Sequence, residues 1–239
     1  MKRRNKIILF SFIGFILACL ITFFIYTGIY YHADERVEEY LKSNNSVEVI
    51  EEKHIIFKPT SDIKGGIIFY PGAKVEHTAY SELMYELASD GYLCVLVKMP
   101  FNLAFFGINK ADKIMSEYSS IKDWYLMGHS LGGAMISSYA SNNINKVKGV
   151  ILLSAYSTKD LSDTKVLSIF GSNDNILNKD KYEENKKNLP KNFEEVVIDG
   201  GNHAGFASYG EQKGDGKLEI SHEKQLELTV LSIKMFLNR

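Results

Sequence analysis

Hydrophobic and polar positions divide the chain into two regimes. Residues 7–30 form a 24-residue stretch without a charge, rich in Ile, Leu and Phe. As a helix it would be about 36 Å long, enough to cross a hydrocarbon core of roughly 30 Å with some tilt. Tyr26, Tyr30 and Tyr31 fall near its outer end, where amphipathic rings favour the headgroup level. From about residue 47 strand-like and helix-like patterns alternate. Strands are expected at 47–58, 66–70, 92–98, 123–128, 147–154, 165–170 and 193–198. Several are continuous apolar runs, such as Ile67-Ile68-Phe69 and Val150-Ile151-Leu152-Leu153, which suit parallel strands buried on both faces. Between them lie apolar stripes at helical spacing: Tyr80, Leu83, Met84, Leu87 and Ala88; Ile108, Ala111, Ile114, Met115 and Tyr118; Leu131, Ala134, Met135, Ser138 and Tyr139; and Leu226, Val230, Ile233 and Leu237. The alternation predicts an α/β fold, a mostly parallel sheet with helices on both faces, preceded by one apolar helix.

Charge orients that helix. Lys2, Arg3, Arg4 and Lys6 precede it, whereas residues 31–46 hold Asp34, Glu35, Glu38 and Glu39 against Arg36 and Lys42. The positive-inside rule then predicts a single-pass cell-membrane protein with its amino terminus in the cytoplasm and its body outside. The segments expected are a basic flank (1–6), a transmembrane anchor (7–30), a juxtamembrane linker (31–46) and a folded domain (47–239). A cleaved signal peptide is the first alternative, but the apolar run is long for one and no A-x-A-like site follows. A lipidated Cys19 is the second, yet Leu20-Ile21-Thr22-Phe23-Phe24 continues the apolar run where polar residues would follow. Lys+Arg 28 against Asp+Glu 29, with the basic excess confined to the flank, does not suggest a nucleic-acid partner. Cys19 and Cys94 lie in unlike surroundings, so no disulfide is expected.

Candidate chemistry starts at Gly128-His129-Ser130-Leu131-Gly132-Gly133, between an apolar strand and an amphipathic helix. G-x-S-x-G in that setting makes a nucleophile elbow, a turn so tight that Gly128 and Gly132 have no room for side chains. Ser130 would stand at a helix amino terminus, with the Leu131 N–H aimed at a developing oxyanion. The ordinary alternative is a glycine-rich turn.

With Phe69-Tyr70-Pro71-Gly72-Ala73, Phe170-Gly171-Ser172-Asn173-Asp174 and Gly200-Gly201-Asn202-His203-Ala204 in the same order, the chain resembles the α/β-hydrolase superfamily over roughly residues 65–239. The likeness is to the compact bacterial type related to dienelactone hydrolases and small carboxylesterases. Six histidines compete for the base: His32, His54, His77, His129, His203 and His222. His203 sits in a Gly-rich loop after a strand, and the resemblance gives it the catalytic role. The acid should fall between serine and histidine, which favours Asp174 beyond strand 165–170; Asp160, Asp199 and Asp215 are its rivals. Asp174 would fix the His203 tautomer and stabilise the imidazolium. The resemblance also implies a second oxyanion donor, the N–H of Ala73, although Tyr70 stands where many relatives carry histidine.

The connection from strand 147–154 to strand 165–170 is too short for a cap domain, so the site should be open. Phe101, Leu103 and Phe105 are candidates for an acyl pocket, or could dip towards lipid; core packing under a loop is the ordinary alternative. No cofactor or metal is expected, because the histidines and cysteines show no ligand spacing and no phosphate or dinucleotide fingerprint appears. The expected activity is cleavage of a small carboxylic ester or related acyl substrate by a Ser-His-Asp triad. A non-catalytic binding or scaffold domain with this fold, or an acyltransferase or peptidase using the same triad, is the alternative.

Overall fold

A computed structural model describes residues 3–239. Met1 and Lys2 of the expected basic flank, and the side chains of Arg4 and Lys6, lie outside the described residues. Helix α1 spans Arg3–Gly28. Within it Leu9–Gly28, of mean hydropathy 2.5, is long and apolar enough to cross a membrane, and nearly all of it is exposed, Thr27 being its one buried residue. Beyond it the chain turns onto the domain. Tyr31 forms a parallel bridge to Val75. A short 3-10 helix, Glu35–Glu39, is capped by Asp34 and buries Val37. The 31–46 stretch is thus packed against the domain along much of its length.

Eight strands form one mixed sheet in the order β1-β2-β4-β3-β5-β6-β7-β8. They are β1 Val47–Glu51, β2 Ile55–Pro59, β3 Gly65–Tyr70, β4 Tyr92–Leu96, β5 Trp124–His129, β6 Gly149–Leu153, β7 Lys165–Gly171 and β8 Glu194–Ile198. β3 to β8 run parallel, whereas β1 pairs antiparallel with β2 and β2 with β4. The expected single strand 47–58 is therefore two. The chain reverses at the charged pair Glu52-Lys53, with the Glu52 N–H donating to the His54 carbonyl at 3.0 Å, and Glu51 pairs with Ile55 across the turn.

The period of two along each strand sorts the core onto two faces. Ile67, Phe69, Cys94, Leu96, Tyr125 and Met127 pack under α2 (Ser81–Ser89) and α6 (His222–Leu237). Ile68, Tyr70, Leu93, Val95, Trp124 and Leu126 pack under α3 (Lys110–Glu117) and α4 (Leu131–Asn142). The stripes expected for α2 and α6 face the core as predicted. That of α4 is rotated: its buried face is Gly132, Gly133, Ile136, Ser137, Tyr139 and Ala140. The helix starts so close to the sheet that only its glycine face fits against it, and this fixes its roll. One helix, α5 (Lys179–Asn185), had no apolar stripe to announce it; it buries only Tyr182 and is capped by the Asn178 side chain. Residues 154–164 join β6 to β7 without a helix.

Candidate functional site

Loops after the carboxyl ends of the parallel strands converge at one edge of the sheet, the usual place for ligands in open α/β folds. β5 ends at His129 and α4 begins at Leu131, so Ser130 makes the whole turn. Its backbone has φ 52° and ψ −121°. A non-glycine residue at positive φ costs on the order of 1–3 kcal/mol and persists only where its surroundings enforce it. Here the Ser130 N–H donates to the Leu153 carbonyl at 2.9 Å, and the Ser130 carbonyl accepts from the Ala134 N–H at 3.1 Å. A Cβ at Gly128 would overlap the Gly132–Gly133 backbone, and one at Gly132 would overlap the Tyr70 and Pro71 carbonyls. The two glycines let the turn seat on the end of β3.

Asp174, fully buried, follows β7. Its Oδ2 lies 2.9 Å from His203 Nδ1. Its Oδ1 accepts the N–H groups of Ile176 and Leu177 at 2.9 and 2.8 Å. Burial alone would raise this carboxyl, but the His203 hydrogen bond and charge, with the Leu177 N–H, hold it below the usual carboxylate range. With Nδ1 engaged, Nε2 is the His203 nitrogen left for a substrate or nucleophile. The His203 ring lies on that of His129, centroids 4.5 Å apart, which brings it beside the turn carrying Ser130.

The loop bearing His203 is held from both sides. Buried Gln225 accepts the Asn202 N–H through Oε1 at 3.0 Å and donates Nε2–H to the Asn202 carbonyl at 2.8 Å. Asp215 accepts the Ala204 N–H at 2.9 Å and the Asn175 N–H at 3.3 Å, tying the histidine loop to the aspartate loop. Asp215, one of the rival acids, thus braces the two loops through backbone N–H groups. Asp160 accepts the Ser162 N–H of its own turn, and Asp199 lies by the Ser172 hydroxyl.

Tyr80 and His129 were not foreseen as part of the site. The Tyr80 hydroxyl, fully buried, lies 2.8 Å from His129 Nδ1 and accepts the Gly72 N–H at 3.1 Å. Burial, and then the neighbouring His203, push the His129 imidazole well below its ordinary pKa, so it stays neutral. Tyr80 thereby links the Ser130 turn to the loop that presents Ala73. Tyr80→Phe would leave a buried amide and a ring nitrogen unpaired. The expected loss is about 1–3 kcal/mol of unfolding free energy, read by urea denaturation.

Phe101 packs edge-on against Phe23 and Phe24 of α1, with centroids 5.1 and 6.1 Å away. Phe105 is two-thirds exposed, and Leu103 lies between the two short helices of this loop. Phe101 thus turns towards the apolar helix, and Phe105 outwards.

A second Ser-His-acid arrangement lies nearby. His222 Nε2 is 3.1 Å from the Ser208 hydroxyl and 3.9 Å from Glu82 Oε2. It borders a cavity of about 500 Å³ lined by residues that include Asp34, Arg36, Asn202 and Asp215. One ring nitrogen faces both the hydroxyl and the carboxylate, whereas a proton relay needs one nitrogen for each. Glu82 is also engaged by the Tyr40 hydroxyl, which donates to Oε1 at 3.1 Å. In the Asp174–His203 pair the carboxylate meets Nδ1 alone, and Nε2 is left for another group.

Solved structures share this architecture at low identity. A dienelactone hydrolase from Anabaena variabilis is 13% identical, with TM-score 0.60 over 80% of this chain and 99% of that one. Est1E from Butyrivibrio proteoclasticus is 16% identical, with TM-score 0.54 over 80% of this chain and 100% of that one. A soluble variant of monoglyceride lipase from Saccharomyces cerevisiae is 12% identical, with TM-score 0.58 over 82% of this chain and 95% of that one. Likeness at these identities speaks for the fold. No curated protein matches the chain. The fold and its Ser-His-acid networks support a serine-hydrolase-type centre consistent with ester-hydrolase chemistry. Residues 66–227 match the profile of the alpha/beta hydrolase family, and the chain belongs to that family.

Proposed function

We propose that the protein is a membrane-anchored serine hydrolase that cleaves small carboxylic esters or related acyl compounds through Ser130, His203 and Asp174. The observation that carries this reading is the buried 2.9 Å contact between His203 Nδ1 and Asp174 Oδ2, next to a serine held at positive φ between a strand and a helix. In the proposed reaction His203 Nε2 takes the Ser130 hydroxyl proton as Oγ attacks the acyl carbon. The tetrahedral oxyanion is met by the Leu131 N–H, and by the Ala73 N–H as second donor. Collapse expels the alcohol, which receives the proton from His203, and leaves an acyl ester on Ser130. Water, deprotonated by His203, attacks that ester; the C–Oγ bond breaks, the acid leaves, and the proton passes from His203 to Ser130 Oγ. Asp174 keeps its negative charge throughout, in line with a carboxyl held below the usual range. Residues 7–30 serve as the anchor, with the basic flank in the cytoplasm and the domain outside, and no metal or cofactor enters the reaction.

The full chain in detergent should turn over a short p-nitrophenyl ester and lose that activity on treatment with one equivalent of a fluorophosphonate. Absence of turnover across acyl chain lengths, together with no reaction with the phosphonate, would contradict the proposal and favour a binding or scaffold role.

A further inference from the structure

Residues 99–109, between β4 and α3, contain no charge and are flanked by Lys98 and Lys110. Their aromatic rings are turned outward. Phe101, Phe105 and Phe106 are 43%, 66% and 46% exposed, an unusual concentration for large apolar side chains within six residues. The backbone enforces this display. Phe101 and Asn102 both have positive φ, at 56° and 53°. Left-handed backbone at a bulky aromatic residue is an outlier that neighbouring structure must sustain. The Lys74 N–H donates to the Asn102 carbonyl at 2.8 Å, which ties this loop to the one presenting Ala73.

The exposed rings continue the surface of α1. Phe23 contacts Phe101 and Phe106, with centroids 5.1 and 5.9 Å away, and Phe106 lies 5.5 Å from Phe105. Phe23 sits about 7 Å inside the outer end of the helix at Gly28, given a rise of 1.5 Å per residue. One helical turn closer to that end, the Tyr26 ring holds the Lys74 ammonium at 4.1 Å. A tyrosine paired with a lysine belongs at headgroup level, so the Phe23 level lies within the acyl region.

We propose that the 101–106 loop inserts into the outer leaflet beside α1, as a second contact with the bilayer that holds the mouth of the Ser130 site against the lipid surface. The inference rests on the membrane-anchor reading of residues 7–30. Two points favour lipid over a protein partner. The rings are continuous with a helix apolar on all sides, and the Lys74 ammonium on the Tyr26 ring is placed for anionic headgroups. A site seated in this way is open to acyl esters carried by membrane lipids as well as to soluble ones.

The test uses the full chain in vesicles of phosphatidylcholine and phosphatidylglycerol, labelled with nitrobenzoxadiazole at one cysteine. Cys94 is buried and does not label. Phe105→Cys and Phe106→Cys, each made with Cys19→Ser, report on the loop. Asn192→Cys with Cys19→Ser reports on an exposed position elsewhere on the domain. The native Cys19 reports on the anchor. Doxyl-labelled lipid should quench the probes at 105 and 106 several-fold more strongly than aqueous iodide does, with the reverse at 192. If the Cys19 probe is quenched by lipid but those at 105 and 106 respond only to iodide, the anchor stands and this inference is wrong. If the Cys19 probe also responds only to iodide, the anchor reading falls and the inference falls with it.

Discussion

Ser130→Ala is expected to lower kcat/KM for a short p-nitrophenyl ester by about 10⁶-fold, the scale on which loss of a nucleophile costs a catalytic triad. What remains should be the contribution of oxyanion donors and binding, roughly 10³–10⁴-fold over water. The fold should survive. Ser130 is half-buried, and its two backbone hydrogen bonds do not involve the side chain. Because the Ser208 hydroxyl lies 3.1 Å from His222, the informative partner experiment is Ser208→Ala. The proposal predicts that this variant keeps turnover near the wild-type value. Loss of activity in Ser208→Ala with retention in Ser130→Ala would transfer the chemistry to the cavity beside His222.

Asp174→Asn is expected to lower kcat by about 10⁴-fold while ester binding changes little. An amide cannot stabilise the imidazolium. Its NH₂ group either faces His203 and forces the wrong tautomer, or faces the Ile176 and Leu177 N–H groups that the carboxylate now accepts. The second arrangement leaves buried donors unpaired, so the variant should also be less stable by about 1–3 kcal/mol. Glu82→Gln is the matched control. Glu82 shares one ring nitrogen of His222 with Ser208, so its neutralisation should leave kcat near wild type. The reverse pattern would favour the His222 arrangement.

The Ser130 turn was legible in the sequence because its signal is local. Two glycines, a continuous apolar strand and an amphipathic helix fall within a short window, although the carbonyls that require Gly132, those of Tyr70 and Pro71, are distant in sequence. The contact between Asp174 and His203 is different. Their separation of 29 residues carries no physical information by itself, and only the order of blocks seen in related chains singled them out. The Tyr80–His129 contact could not be read at all. It joins residues 49 apart, and Tyr80 matched the core stripe it also belongs to. Gln225 left a faint signal, a polar residue on the inner face of α6 one turn before buried Thr229. The roll of α4 was misjudged because glycines count as neutral in an apolar stripe, whereas here they mark the side of closest approach. The aromatic loop was legible as apolar. Its direction depends on positive φ at Phe101 and Asn102 and on the position of α1, and neither follows from composition.

The central claim is that Ser130 is the residue that carries the acyl group. It is tested most directly by reacting the full chain in detergent with a fluorophosphonate and locating the adduct by peptide mass spectrometry. The account predicts a single adduct on Ser130, absent in Ser130→Ala and strongly slowed in the His203→Ala variant. An adduct on Ser208, or labelling that persists unchanged in Ser130→Ala, would contradict it.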